Sequence, residues 1–320
     1  MTTKKADTPL FAYGLRTVTE AAALAAYEWI GRGDKESGDG AAVEAMRDAL
    51  NRLPVKGTVV IGEGEKDEAP ALYNGEEVGA AGGSAPAFDI AVDPVEGTSF
   101  LAKGLTNAMG VIAMAPEGTM MKPGPAFYME KFAGPPAVRG KIDPQMSVKD
   151  KLNRLAECLN KPVSEITVFV LEKPRHKALV EEIQNAGARV SLYPGGDVAG
   201  AIMGAIPGHS VDCLMGTGGT PEGIISAAAI RSVGGEFMGR LDPQLSEERE
   251  RVEAAGLSTE TWYRIEDVVS SSNVFFCATG ITPGLLFEGV ERSKEYDRTQ
   301  TMIVAGSSGE RQVLTTYHPR

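Results

Sequence analysis

The chain is short of several things at once. It holds three cysteines, three histidines and two tryptophans in 320 residues. Cys158, Cys213 and Cys277 are far apart and odd in number, which excludes a disulfide framework and a zinc-ligand spacing. Their neighbours predict one cysteine on an amphipathic helix and two on buried strands, where free cysteine packs as a small hydrophobe. His176, His209 and His318 form no ligand set by spacing, and only His176 adjoins a basic pair. Positive charge is in deficit too: 32 Lys and Arg stand against 43 Asp and Glu, a net charge of −11. That excludes a general nucleic-acid binder, which needs a basic footprint, and binding by charge alone to an anionic membrane. No apolar run approaches the roughly 20 residues of a membrane span. Residues 1–7 carry charge with no apolar stretch behind them, so no signal peptide is readable and a cytoplasmic protein is expected. What is plentiful is glycine: 38 residues, about 12% against a usual ~7%. The excess sits in short clusters at the ends of predicted strands, where ligand loops usually lie.

Strand and helix patterns alternate along most of the chain and predict layered α/β architecture. Helices are expected over 16–30, 41–53, 147–159, 198–206 and 221–233, and a solvated, charged helix within 241–256. Strands are expected over 58–61, 88–93, 109–115, 166–171, 189–193, 211–215, 274–279 and 301–305. The Pro- and Gly-bearing stretch 135–144 is the candidate lobe boundary. The expected division is an N-terminal lobe, 1–140, carrying most of the acidic motifs, and a C-terminal lobe, 141–320.

Four segments place acids at the ends of apolar elements. Asp39 opens the second helix on the same face as Val43, Met46 and Leu50, so it begins the buried stripe; an N-terminal cap is the plainer alternative. Glu63 and Glu65 follow a strand and are separated by glycine, as either cleft carboxylates or an exposed turn. Asp93-Pro94-Val95-Glu96-Gly97-Thr98 is the most specific segment. Proline ends a buried strand, two carboxylates sit three apart, and a short helix is expected over 99–103. Hard divalent cations take oxygen ligands, and a threonine hydroxyl there can orient a water. The fourth segment, 216–223, is glycine-rich and lies between strand and helix, where backbone N–H groups can approach an anion. It is neither a Walker A loop nor a full dinucleotide fingerprint, since Pro221 stands at the third glycine position. Glu236 lies about 20 residues on, which keeps an NAD-dependent oxidoreductase as a distant alternative. Glu222 is either a ligand or a counter-charge to its helix dipole.

An acidic protein that handles phosphate needs local cations. Lys173-Pro174-Arg175 stands where a strand meets a helix, and Arg binds phosphate through paired hydrogen bonds. Lys35 precedes Asp39, Tyr128 offers a phenolic hydroxyl, and Gly195-Gly196-Asp197 could read sugar hydroxyls, with an N-cap as the other account of Asp197.

These residues carry a resemblance. Residues 29–35, 60–70, 93–98, 128–131, 173–176, 218–223 and 278–282 together resemble class II fructose-1,6-bisphosphatases, of the lithium-sensitive sugar-phosphatase superfamily. The resemblance spans almost the whole chain. It implies a layered αβαβα sandwich of two α/β lobes and a homodimer or homotetramer. It further implies a metal-dependent hydrolysis of fructose 1,6-bisphosphate to fructose 6-phosphate, as in gluconeogenesis. By position it implies Asp39 and Glu63 as ligands of one Mn²⁺ or Mg²⁺ ion and Asp93, Glu96 and Glu222 as ligands of a second. Thr98, Glu63 and Lys35 become candidate catalytic groups. Glu96, Gly97, Thr98, Tyr128, Lys173, Pro174, Arg175, Gly195, Gly196, Asp197 and Gly219 become candidate substrate contacts. Two places depart from the family pattern: Gly195 where an Asp is usual, and Ser272 where Ser-Asp-Asn is frequent. Both bear on the sugar, so a dual fructose-1,6/sedoheptulose-1,7-bisphosphatase is the alternative.

Overall fold

A computed structural model of the chain describes residues 10–64, 71–80, 82 and 85–320. Along the chain run α1 (Leu10–Tyr27), α2 (Lys35–Leu50), β1 (Lys56–Ile61), β2 (Glu77–Val78), β3 (Ala87–Glu96), α3 (Thr98–Lys103), β4 (Met109–Pro116) and β5 (Tyr128–Gly134). Next come α4 (Val148–Leu159), β6 (Thr167–Leu171), α5 (Lys177–Asn185), β7 (Arg189–Tyr193), α6 (Asp197–Ala205), β8 (Cys213–Gly219) and α7 (Thr220–Val233). The last elements are β9 (Glu236–Leu241), α8 (Ser246–Ala254), β10 (Trp262–Arg264), α9 (Ile265–Val268), β11 (Phe275–Gly280), β12 (Glu291–Arg292), β13 (Tyr296–Ala305) and β14 (Glu310–Pro319).

The architecture is mixed α/β, in two units. The expected cut at 140/141 is not where the chain divides. One unit comprises 1–120 and 271–320, and the other comprises 121–270. The local pattern hides this because the return is made by strand pairing at long range: β11 lies antiparallel against β4, with Phe275 opposite Met114 and Gly280 opposite Met109. The stretch 135–144, read as a boundary, holds a 3₁₀ turn inside the second unit, with Val138 and Ile142 in that unit's core.

In the first unit the strand order is β12-β13-β11-β4-β3-β1-β2, with β14 on β13. Among the described residues of this sheet only β1 and β3 pair in parallel. Helix α1 buries Leu15, Val18, Ala22 and Ala26 at helical spacing and, with α2, covers one face of this sheet. Asp34, not Asp39, caps α2, accepting the N–H of Ser37 at 3.0 Å. Asp39 therefore lies in the second turn, at the head of the stripe formed by Val43, Met46 and Leu50. Strand β3 is buried on both faces, which explains its near-continuous apolar run.

The second unit has the order β10-β9-β5-β8-β6-β7. Alternate residues of β6 serve two layers. Val168 and Val170 join the core with α4 and α5, while Phe169 fills the space beside Gly200 of α6. Ser147 caps α4. The expected solvated helix is α8, and it is less solvated than its charge suggests. Glu248 is fully buried and accepts the backbone N–H groups of Phe127 (2.6 Å) and Tyr128 (2.8 Å). No described helix is long and apolar enough to cross a membrane.

Candidate active site

In the first unit, three of the expected acids gather. Glu63 follows β1 in a turn whose partner is the segment 72–74. Its N–H reaches Leu72 O at 3.0 Å, and Gly62 N–H reaches Asn74 Oδ1 at 3.1 Å. Position 62 must be glycine, since a Cβ there would overlap the Leu72 carbonyl. Glu65 and the rest of the segment to residue 70 lie outside the described residues. Glu63 shares a hydrogen bond with Asp39, and the charge of Asp93 falls on Glu63. Burial, then Asp93, then Asp39 push the Glu63 carboxyl up to about 8. Burial raises Asp39 too, while its bond to Glu63 and the charge of Lys35 pull it back. Two carboxylates can share a hydrogen bond only if one is protonated. Near neutral pH, then, a proton sits where a cation would otherwise balance the charge.

Asp93 and Glu96 flank a bulge. Asp93 opposes Val111 and Glu96 opposes Met109, so β3 carries one residue more than β4 over this interval. Pro94 sits there because it has no N–H for the ladder. Asp93 Oδ1 accepts the N–H of Val95 at 3.0 Å, which closes the turn, and Glu96 is buried. The chain then reverses at Gly97, with φ +90°, and α3 begins at Thr98. Lys35 is placed by the same local structure. Gly31 and Gly33 donate to Leu101 O (2.9 Å) and Ala102 O (2.8 Å), tying the segment before α2 to α3.

In the second unit the sugar-side candidates surround β8. The segment read as a glycine loop is largely strand: Tyr128 opposes Gly219 and Lys131 opposes Gly216 across the β5–β8 ladder. Its glycines make room for neighbouring side chains. A Cβ at Gly216 would stand 2.9 Å from His176 Nε2, one at Gly218 would overlap Asp197 Oδ2, and one at Gly219 would overlap Glu222 Oε2. This replaces the expected cradle of backbone N–H groups. It also removes the loop that a dinucleotide site would need between strand and helix.

Lys173 and Arg175 are exposed on a 3₁₀ turn after β6. Arg175 donates through Nε (3.0 Å) and Nη2 (2.7 Å) to Thr217 O and lies over the Tyr128 ring at 5.2 Å. Thr217 is held from its other side as well, its N–H donating to His176 Nε2 at 2.8 Å. That bond assigns the proton to Nδ1, which donates to Leu171 O at 2.7 Å. Burial lowers the His176 pKa, in keeping with a neutral, structural ring. Thr217 Oγ1 donates to Asp242 Oδ2 at 2.6 Å.

Asp197 is not an N-cap. Gly196 caps α6 without a side-chain bond, and Asp197 accepts from the buried ammonium of Lys131. Glu222 stands in the first turn of α7. Its Oε2 is buried and has no hydrogen-bond partner among the described residues, and burial and Asp197 raise its pKa against the pull of Lys131. An orphaned buried carboxylate oxygen in one unit and a proton-sharing acid group in the other are all-oxygen donors of the kind hard divalent cations take.

Of the groups that complete this picture, Lys131, Thr217, Asp242 and Glu248 were not legible as functional. Lys131 stood inside a resembling motif, but no spacing paired it with a residue 66 positions away.

Comparison with known proteins bears on all of this. The model of the family described as bacterial fructose-1,6-bisphosphatase, glpX-encoded, matches residues 10–318. Over 314 residues the chain is 45% identical to fructose-1,6-bisphosphatase 1 class 2 of Escherichia coli (strain K12), covering 94% of this chain and 93% of that protein. It is equally similar to the fructose-1,6-bisphosphatase class 2 of Escherichia coli O6:H1 and to that of Shigella flexneri.

Proposed function

The chain belongs to the family of glpX-encoded bacterial fructose-1,6-bisphosphatases, and on that premise we propose that it is a phosphoric monoester hydrolase releasing the 1-phosphate of fructose 1,6-bisphosphate. Besides the family, the observation that carries this reading is the acid group of Asp39, Glu63 and Asp93, whose mutual repulsion and burial are unfavourable without a cation. The cofactor is a divalent metal; Mn²⁺ or Mg²⁺, as two ions, is the specific proposal. Asp39 and Glu63 would hold one ion, and Asp93, Glu96 and Glu222 the other. When bound, such ions neutralise phosphoryl oxygens, acidify a water and stabilise the leaving alkoxide.

The chain's own groups then divide the work. Thr98 orients the attacking water, and a neighbouring carboxylate, Glu63 in this reading, takes its proton. Lys35 offsets acid charge at Asp39. Lys173 and Arg175 hold the distal phosphate from the turn at Pro174, and so position the reacting one. The Arg175 guanidinium has one Nη with no hydrogen bond among the described residues, while Nε and the other Nη anchor on Thr217 O. Tyr128, Asp197 and Gly219 contact the sugar, with Gly195 and Gly196 giving it a close approach to the backbone. A homodimer or homotetramer and a cytoplasmic location belong to the same reading.

The test is phosphate release from fructose 1,6-bisphosphate with Mn²⁺ or Mg²⁺, abolished by a chelator. Full activity in Glu63→Ala or Thr98→Ala enzyme would overturn the residue assignment. A second reading, turnover of sedoheptulose 1,7-bisphosphate as well, is favoured by Gly195, which stands where the family usually carries an Asp. Side-by-side turnover decides it.

A further inference from the structure

Strand β5 carries a residue that the fold does not need. Successive side chains of a strand alternate between faces, so Met129, Lys131 and Ala133 share one. Met129 and Ala133 are fully buried, and Lys131 between them is only 3% exposed. A lysine ammonium is costly to bury, and an apolar residue of similar volume usually serves a core as well or better. The surroundings are nonetheless shaped for the charge. The Lys131 ammonium donates to Asp197 Oδ2 and to Gly219 O, the latter at 2.8 Å. Strand β8 leaves room for the pair: a Cβ at Gly218 would overlap Asp197 Oδ2 and stand 2.9 Å from Lys131 Nζ. One buried cation thus joins the first residue of α6 to the last residue of β8.

Both residues it holds are sugar contacts in the function proposed above. In Gly195-Gly196-Asp197 only Asp197 has a side chain, so the whole directional chemistry of that turn is one carboxylate. Its Oδ2 is taken by Lys131. The remaining oxygen, Oδ1, accepts no hydrogen bond among the described residues and is the acceptor left for a hydroxyl, and the ion pair fixes its direction. We propose that Lys131 is a positioning residue that orients Asp197 and the Gly219 carbonyl toward the sugar hydroxyls, and so sets which sugar bisphosphate is bound. The proposal rests on the reading of Asp197 as a sugar contact.

The experiment compares Lys131→Met, Asp197→Ala and the double variant with the parent enzyme. Substrates are fructose 1,6-bisphosphate and p-nitrophenyl phosphate, an ester without sugar hydroxyls. Loss of an oriented, charge-assisted contact is worth about tenfold to hundredfold. In Lys131→Met the KM for the bisphosphate rises by about that factor, while kcat moves by less than about threefold. The ratio of kcat/KM between the bisphosphate and the aryl ester falls about tenfold. The double variant loses no more than Asp197→Ala, because Lys131 acts through Asp197. If Lys131→Met does not fold, Lys131→Gln, which keeps an N–H donor without the charge, carries a smaller but still measurable fall in the ratio, about threefold or more. A folded Lys131 variant with unaltered KM overturns the proposal alone, provided Asp197→Ala has lost binding. An unaltered KM in Asp197→Ala overturns the sugar-contact reading beneath it.

Discussion

Replacing Glu63 by Gln separates the metal's role from the fold's. Glu63 is a half-buried acid beside Asp39 and Asp93, and its pKa is raised from 4.5 to about 8. The folded state therefore holds a proton that the unfolded chain releases, and stability is present below pH 4.5 and lost as pH rises toward 8. At 1.36 kcal/mol per pH unit, the loss reaches about 3–4 kcal/mol near pH 7.5 in metal-free protein. Gln keeps the shape and hydrogen-bonding reach without the charge. In EDTA at pH 7.5 the variant should melt about 6–16 °C higher than the parent, taking about 2–4 °C per kcal/mol. At pH 5 the loss is only about 0.7 kcal/mol, and the two should melt within about 3 °C. With Mn²⁺ at a hundredfold excess over its dissociation constant, the parent gains about 2.7 kcal/mol and the variant much less, so the order closes or reverses. Phosphate release is lost in the variant throughout. Scanning calorimetry at two pH values, with and without metal, measures all of this. A variant that melts at or below the parent in EDTA at pH 7.5, or one whose gain is undiminished at pH 5, refutes the account of Glu63 as an acid awaiting a cation.

Other outcomes follow from the same geometry. Gly219→Ala puts a methyl where Glu222 Oε2 lies; it should lower metal affinity and kcat together, read by activity against Mn²⁺ concentration, with at least tenfold loss expected. Arg175→Ala should raise the KM for the bisphosphate about tenfold or more and leave p-nitrophenyl phosphate turnover much less affected, in steady-state assays. His176 is held neutral by burial and accepts the Thr217 N–H. Because its folded pKa lies below 6.5, the stability it contributes is present above that value and falls as pH drops through it. His176→Ala should cost about 2–4 kcal/mol in urea unfolding at pH 7.5 and flatten this acid-side loss.

Much of the metal side was legible in order along the chain, because its chemistry is local. Asp93, Pro94, Glu96, Gly97 and Thr98 are consecutive or nearly so, and each residue type has a physical reason at its place in a bulge and a turn. Asp39 could be read either as a cap or as the head of a buried helical face, and the structure decides it, because Asp34 takes the cap. The glycine run misled for a physical reason. Glycine is chosen both where backbone meets a ligand and where a strand meets another side chain, and composition does not tell these apart. Asp242 and Glu248 were invisible because partners of theirs lie far off in the chain, 25 positions for Asp242 and Thr217 and 120 for Glu248 and Tyr128.

By itself the sequence determined the α/β class, most helices and strands, and the family, since periodicity and contiguous motifs are short-range properties. Only the tertiary structure decided that residues 271–320 return to the N-terminal unit. It alone showed that Glu63 shares a proton with Asp39 and that a buried lysine holds Asp197. Those facts depend on strand register and on the electrostatics of burial, which arise between residues distant in the chain and exist only once it has folded.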